Sequence, residues 1–189
     1  SLVLHKSERN VAKLFSLSTR LPQFLKAFPE AQVLYLARDP LAIIPSTMSL
    51  VTGALDRGFG FWKLSDELRQ RWLARLYKGL LLLLERFHEE WQSGAIDRRR
   101  VFLVRYDRMM ADFEGLMDEM CKFLGHTPTP ELLAAIREQG EKQRKHDSGH
   151  QYDLAKYGLT EEQVRRDFAF FYDAFLPPMQ FPAHAATKA

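Results

Sequence analysis

The sequence predicts an α/β fold in which a parallel sheet is flanked by helices and the C-terminal half is rich in helix. Three observations carry this. Short apolar runs at residues 2–5, 32–37 and 101–106 read as strands, and each is followed by a longer segment of helical periodicity. Strands separated by helices call for crossover connections, which make neighbouring strands parallel and place helices on the sheet faces. Beyond residue 106 no further strand-like run occurs, and apolar side chains recur at helical spacing instead.

Taken in order, Leu2–His5 is the first strand, and a helix from Arg9 to about Phe28, broken near Pro22, returns the chain to the sheet. Gln32–Ala37 is the second strand, rich in β-formers. The helix that follows opens at Pro40, whose fixed φ suits a first helical position, and runs to about Thr52. Residues 51–63 place Phe59, Phe61 and Trp62 among glycines and read as a mobile aromatic loop of the kind that shapes a ligand pocket. Ser65, Asp66 and Glu67 cap the longest helix, which reaches about Gln92 with apolar residues at Trp72, Leu76, Leu80, Leu83, Phe87 and Trp91 and a stripe widened by Leu73, Tyr77, Leu81 and Leu84. Gly94 ends it. Asp97-Arg98-Arg99-Arg100 reads as a solvated charged turn before the strand Val101–Tyr106. A helix bearing Phe113, Leu116, Met120 and Phe123 stops at Gly125, another runs from about Glu131 to Glu141, and Thr160-Glu161-Glu162-Gln163 is a capping box for a last helix. One domain over residues 1–180 and a frayed tail over 181–189 follow.

Composition narrows the classes. The 46% hydrophobic and 12% aromatic content of 189 residues is that of a globular domain with a substantial core. A net charge of +3, from 27 basic and 24 acidic residues, gives no argument for nucleic acid as a partner. The single cysteine, Cys121, excludes an internal disulfide and a cysteine-rich metal site, and points to a cytoplasmic setting. The apolar run Leu80–Leu84 lies between Lys78 and Glu85-Arg86, far short of the roughly 20 residues that span a bilayer.

Chemistry is concentrated at strand ends. Arg38-Asp39-Pro40 stands where the second strand gives way to a helix, a junction that offers unpaired N–H groups, a partial positive charge and a planar guanidinium to an anion. Ser46 follows eight residues after the arginine. Lys6-Ser7 closes the first strand, Tyr106-Asp107 closes the third, and Phe123-Leu124-Gly125 ends the next helix. A basic cluster, Lys142 to His146, precedes His150, Tyr152 and Tyr157-Gly158-Leu159-Thr160.

In this order and spacing the chain, from about Leu2 to Phe175, resembles the sulfotransferases that use 3'-phosphoadenosine-5'-phosphosulfate (PAPS), specifically their broad bacterial-type branch. The resemblance implies a P-loop-NTPase-like sheet and sulfuryl transfer from PAPS to a hydroxyl or amine, with adenosine 3',5'-bisphosphate as product and no metal. It implies that Arg38 and Ser46 hold the 3'-phosphate, that Lys6 stabilises the leaving group, and that Arg144 and Lys145 belong to a basic loop over the phosphates. His150 and Tyr152 are then phosphate or acceptor contacts. The acceptor is a small molecule, glycan or lipid. The chain departs from the family's Lys-Ser-Pro-x-His stretch: Glu8 replaces the proline, and Asn10, which is no base at neutral pH, replaces the histidine. Glu8, with His5 behind it, is the local candidate for a general base. The family's Tyr-Glu-Asp-Leu stretch is matched in part by Tyr106-Asp107, which positions the strand end.

The family also carries a P-loop-like segment for the 5'-phosphosulfate, and nothing before Lys6 supplies it; no G-x-x-x-x-G-K-[ST] pattern occurs. The expectation is therefore the C-terminal portion of a longer enzyme. The alternative is a catalytically silent sulfotransferase-like module that binds a nucleotide or protein partner. A nucleotide-kinase-like fold is disfavoured by the missing Walker lysine.

Overall fold

The computed structural model describes residues 11–14, 17–144 and 153–178, with the side chain of Arg144 excepted. The expected first strand, Leu2–His5, and the tail from 181 lie outside the described residues. Two strands, β1 (Val33–Ala37) and β2 (Val101–Arg105), pair in parallel with Val33 opposite Val101 and Ala37 opposite Arg105. Between them the chain crosses over through α2 (Pro40–Phe59) and α3 (Asp66–Gln92); α1 (Leu21–Ala27) precedes β1. After β2 come α4 (Tyr106–Ala111), α5 (Phe113–Phe123), α6 (Pro130–Arg144), α7 (Glu161–Asp167) and α8 (Ala169–Phe175). The fold is α/β with a helix-rich C-terminal half, as the sequence predicts.

The core lies between one sheet face and α3. Alternation along β1 points Val33, Tyr35 and Ala37 inward, where the Tyr35 ring stacks on Phe87 at a centroid distance of 3.6 Å. Phe87, Phe168 and Phe171 are fully enclosed, and Phe175 joins them through ring contacts with Tyr35, Phe87 and Trp91. The Tyr77 hydroxyl donates to Asp167 at 2.9 Å, tying the middle of α3 to the end of α7. Among the described residues the second sheet face is covered beside β2, where Phe102 meets Phe123 of α5, while Leu34 and Leu36 of β1 are 43% and 53% exposed.

Several boundaries move. Pro22 stands in the first turn of α1 and begins a helix rather than breaking one, since its missing N–H costs nothing there; a short 3-10 turn, Leu17–Arg20, precedes it. α2 continues past Thr52 to Phe59, and the expected aromatic loop is ordered. Gly53 and Gly58 are helical, Gly60 caps the helix at φ 65 by donating its N–H to Asp56, and Phe61–Lys63 forms a 3-10 turn with Phe61 buried. An apolar cleft of about 190 Å³ lined by Val51, Leu55, Phe61, Trp72, Leu73 and Leu76 separates α2 from α3. The core row of α3 is Leu73, Tyr77, Leu84 and Phe87, while Trp72 is half exposed. An apolar band this wide on a helix leaves its centre undetermined by periodicity, and the neighbouring elements select it.

The arginine turn is also not simply solvated. Arg98 lies over the Trp91 ring, Arg99 pairs with Asp97 in solvent, and Arg100 donates to the carbonyls of Leu25, Phe28 and Ala31. β2 ends at Arg105, Tyr106 opens α4, and α6 runs on to Arg144 instead of stopping at Glu141. The last helix is two, because Phe168 leaves helical geometry at ψ 18 between α7 and α8. Thr160 caps α7 by accepting from the Gln163 N–H at 3.2 Å.

Candidate functional site

Parallel pairing brings the carboxyl ends of β1 and β2 together. Because Ala37 is opposite Arg105, the next residue on each strand, Arg38 and Tyr106, leaves the sheet at the same edge. The Arg38 guanidinium lies over the Tyr106 ring at 4.3 Å, a cation–π contact that restrains a long side chain. The crevice outside the carboxyl ends of parallel strands is the usual ligand position in such sheets.

Asp39 follows Arg38 in extended backbone and caps α2 through its side chain, which accepts from the Leu41 N–H at 2.8 Å. Its main-chain carbonyl accepts from Ala42 and Ile43 at 2.9 and 3.0 Å. Pro40 is buried at the first helical position. The 20 residues of α2 thus aim a positive helix end at the segment carrying Arg38. Ser46, half-buried on α2, stands about 9 Å of helix rise beyond Pro40. Arg38 and Asp39 precede the helix in non-helical backbone, and Ser46 stands two helical turns along. Pro45 removes one ladder donor beside Ser46 and is itself buried.

The opposite wall is built from β2. Arg105 donates to both oxygens of Asp107, at 3.1 and 2.5 Å, and its Nη1 donates to the Pro177 carbonyl at 2.7 Å. The Arg105 guanidinium holds the Asp107 carboxyl below its ordinary range. Asp107 is therefore ionised and committed to structure, in keeping with a positioning role. Arg108 grips Glu119 of α5 through two nitrogens, at 2.8 and 2.6 Å. From the C-terminal side the Tyr172 hydroxyl donates to Asp39 Oδ1 at 2.5 Å.

Of the residues singled out in the sequence, Arg38 and Ser46 lie on the described strand-to-helix unit. Arg144 is the last residue of α6, and Lys142 beside it pairs with Glu138 at 2.6 Å in solvent. Lys6, Glu8, Lys145, His150 and Tyr152 lie outside the described residues. Two members of this edge are not read from the sequence. Tyr106 closes the third expected strand, and its contact with Arg38 follows only from the register of the two strands. Tyr172 lies on the last helix, and only the packing of α8 sets its hydroxyl on Asp39. Among the described residues no three His, Cys, Asp or Glu side chains gather as metal ligands, and no helix is long and apolar enough to cross a membrane.

A search of solved structures finds the crystal structure of sulfotransferase STF9 from Mycobacterium avium, with a TM-score of 0.62 and 23% identity. The alignment covers 86% of this chain and 41% of that one, so this chain spans less than half the length of the protein it matches. The likeness establishes the fold, a P-loop-like α/β architecture. No match is found among curated proteins. Comparison with protein families matches the sulfotransferase family over residues 3–131, more than half of the sequence and inclusive of β1, α2, α3, β2 and the Arg38 junction. The chain belongs to the sulfotransferase family.

Proposed function

We propose that this chain carries the 3'-phosphate and leaving-group side of a PAPS-dependent sulfotransferase that transfers a sulfuryl group to a hydroxyl or amine. The observation that supports this best is the Arg38 junction: a guanidinium restrained over Tyr106, at the carboxyl edge of parallel strands, beside the capped N-terminus of a long helix. Such an arrangement suits a dianionic phosphate, which a fork and helix N–H groups bind in complementary ways.

In this reading Arg38 and Ser46 hold the 3'-phosphate, and Arg144 with Lys145 closes over the nucleotide. During transfer the acceptor oxygen or nitrogen bonds to sulfur while the sulfur–oxygen bond to the nucleotide breaks. Lys6 stabilises the charge that gathers on the departing phosphate oxygen, and Glu8 takes the acceptor proton. His150 and Tyr152 contact phosphate or acceptor. Positioning and electrostatics supply most of the rate, by analogy with phosphoryl transfer. The acceptor is a small molecule, glycan or lipid, and a cytoplasmic setting suits a lone buried thiol.

The test is the affinity for adenosine 3',5'-bisphosphate and for adenosine 5'-phosphate, in wild type and Arg38→Ala. Loss of charge-assisted bonds to the extra phosphate lowers affinity for the bisphosphate by about one to two orders of magnitude and leaves the monophosphate nearly unchanged. Equal losses for the two ligands would remove the assignment. A second reading, a silent nucleotide-binding module, is favoured by Glu8 and Asn10 standing where the family has proline and histidine. It predicts the same selective binding without sulfuryl transfer.

A further inference from the structure

The cleft of about 190 Å³ between α2 and α3 is walled by four aliphatic side chains and by the rings of Phe61 and Trp72. Phe61 is buried and meets the Trp62 ring edge-on at 5.1 Å, which fixes that wall. Thr52 also lines the cleft, but its hydroxyl donates to the Met48 carbonyl at 2.7 Å within α2, so its proton is already committed. What fills the cleft must therefore be apolar. Trp72 is 49% exposed, so one side stands open to solvent and leaves a large ring to be covered. A cavity of about 150 Å³ with similar walls accepts benzene, so the volume here suits one ring with a short substituent. Aromatic walls favour a ring over an alkyl chain, because ring pairs gain beyond their burial.

Arg75 is the charged member of the lining. It is exposed, and among the described residues it has no ion-pair partner. Its own helix cannot supply one, since the positions three and four residues away are Trp72, Lys78, Arg71 and Gly79. Arg71 and Lys78 instead add like charge on either side, a repulsion that an anion at the mouth relieves. The facing helix carries one carboxylate, Asp56, and it accepts the Trp62 N–H at 3.0 Å. We propose that this cleft is a binding site for a single-ring aryl anion, the ring enclosed by the apolar walls and its carboxylate or sulfate paired with Arg75. Val51 lies roughly 16 Å of helix rise beyond Pro40, so the site stands apart from the Arg38 edge and does not depend on the nucleotide assignment.

Titration calorimetry tests this on the full chain with para-ethylbenzoate, its neutral isostere para-ethylbenzamide, and acetate, which has the charge without the ring. The variants are Arg75→Met, Arg99→Met as an exposed arginine elsewhere, Val51→Phe to fill the cleft and Leu55→Ala to enlarge it. The benzoate is expected to bind wild type with a Kd of about 1 mM, in keeping with a ligand of its size, and acetate not to bind. Arg75→Met weakens the benzoate about fivefold and leaves the benzamide unchanged, as one exposed charge-assisted contact requires, while Arg99→Met alters neither. Val51→Phe abolishes binding of both. Leu55→Ala shifts the preference from para-ethylbenzoate to para-butylbenzoate, and this readout carries the test if Val51→Phe does not fold. No binding of the benzoate at about 10 mM, equal losses for Arg75→Met and Arg99→Met, or an unchanged preference in Leu55→Ala would each overturn the proposal. A dimer of wild type that Val51→Phe dissolves would assign the cleft to a second copy of the chain and overturn it as well.

Discussion

Three consecutive arginines, Arg98, Arg99 and Arg100, have three different environments, and replacing each by methionine separates them. Arg100 donates from Nη1 to the Leu25 carbonyl at 2.8 Å, from Nε and Nη2 to the Ala31 carbonyl at 3.1 and 2.8 Å, and from Nη2 to Phe28. These carbonyls belong to the last turn of α1, its cap and the connection to β1, so Arg100 fixes the path of the chain into the strand. The Leu25 and Ala31 carbonyls are partly buried in these contacts. Two charge-assisted bonds at the low end of their range give a loss of about 3 kcal/mol for Arg100→Met. In a domain of this size that is a fall in melting temperature of about 6–12 °C. Arg98→Met loses a stacking contact on Trp91 and a bond to its carbonyl at the surface, about 0.5–1 kcal/mol. Arg99→Met loses only a solvent-exposed ion pair with Asp97 and leaves the melting temperature within error of wild type. Thermal melts followed by circular dichroism, with urea midpoints as a second measure, give the ranking. Equal shifts for all three variants, or a larger shift for Arg99→Met than for Arg100→Met, would refute the clamp.

Two further outcomes follow from the core and from the ion pairs. Phe87 is completely enclosed and touches the rings of Tyr35, Trp91 and Phe175, so Phe87→Ala costs about 3–5 kcal/mol, read from urea unfolding; a loss under 1 kcal/mol would mean that the sheet is not packed on α3 there. The Glu119 carboxyl is lowered by its hydrogen bonds to Arg108, and the Asp107 carboxyl by those to Arg105. Depressed folded-state values mean that their contribution is complete above the unfolded pKa near 4 and disappears as pH falls through the folded values. Stability measured from about pH 6 to 2.5 therefore falls less steeply for Glu119→Gln than for wild type, whereas superimposable slopes would show that the pair is not formed in solution. Both pairs are partly exposed, so added salt shrinks the difference.

The nature and order of the elements are legible in the sequence because they depend on local chemistry. A run such as Val33 to Ala37 fits a half-buried pleat, Asp39-Pro40 starts a helix, Ser65 to Glu67 starts another, and Gly125 follows the end of α5. The Arg38 junction is legible for the same reason, since strand, arginine, cap and helix are contiguous. Contacts between distant segments are not. Periodicity shows that α3 has a broad apolar band, but the row that is buried is set by its neighbours in the fold, Asp167 and Phe168 against Tyr77 among them, and Trp72 is left half exposed. Glycines at 53 and 58 suggest a loop, yet α2 runs through them to Phe59 and ends at the left-handed Gly60. Arg100 looks like part of a solvated run until the end of α1 and the chain after it present three carbonyls to it. Tyr172 has the spacing of a core residue, and only the return of α8 to the sheet edge brings its hydroxyl to Asp39, 133 positions earlier in the chain. The sequence by itself determined the fold class and the contiguous strand, arginine, cap and helix at Arg38; the tertiary structure decided which neighbours surround them, because those contacts are made by side chains that meet only once the chain has folded.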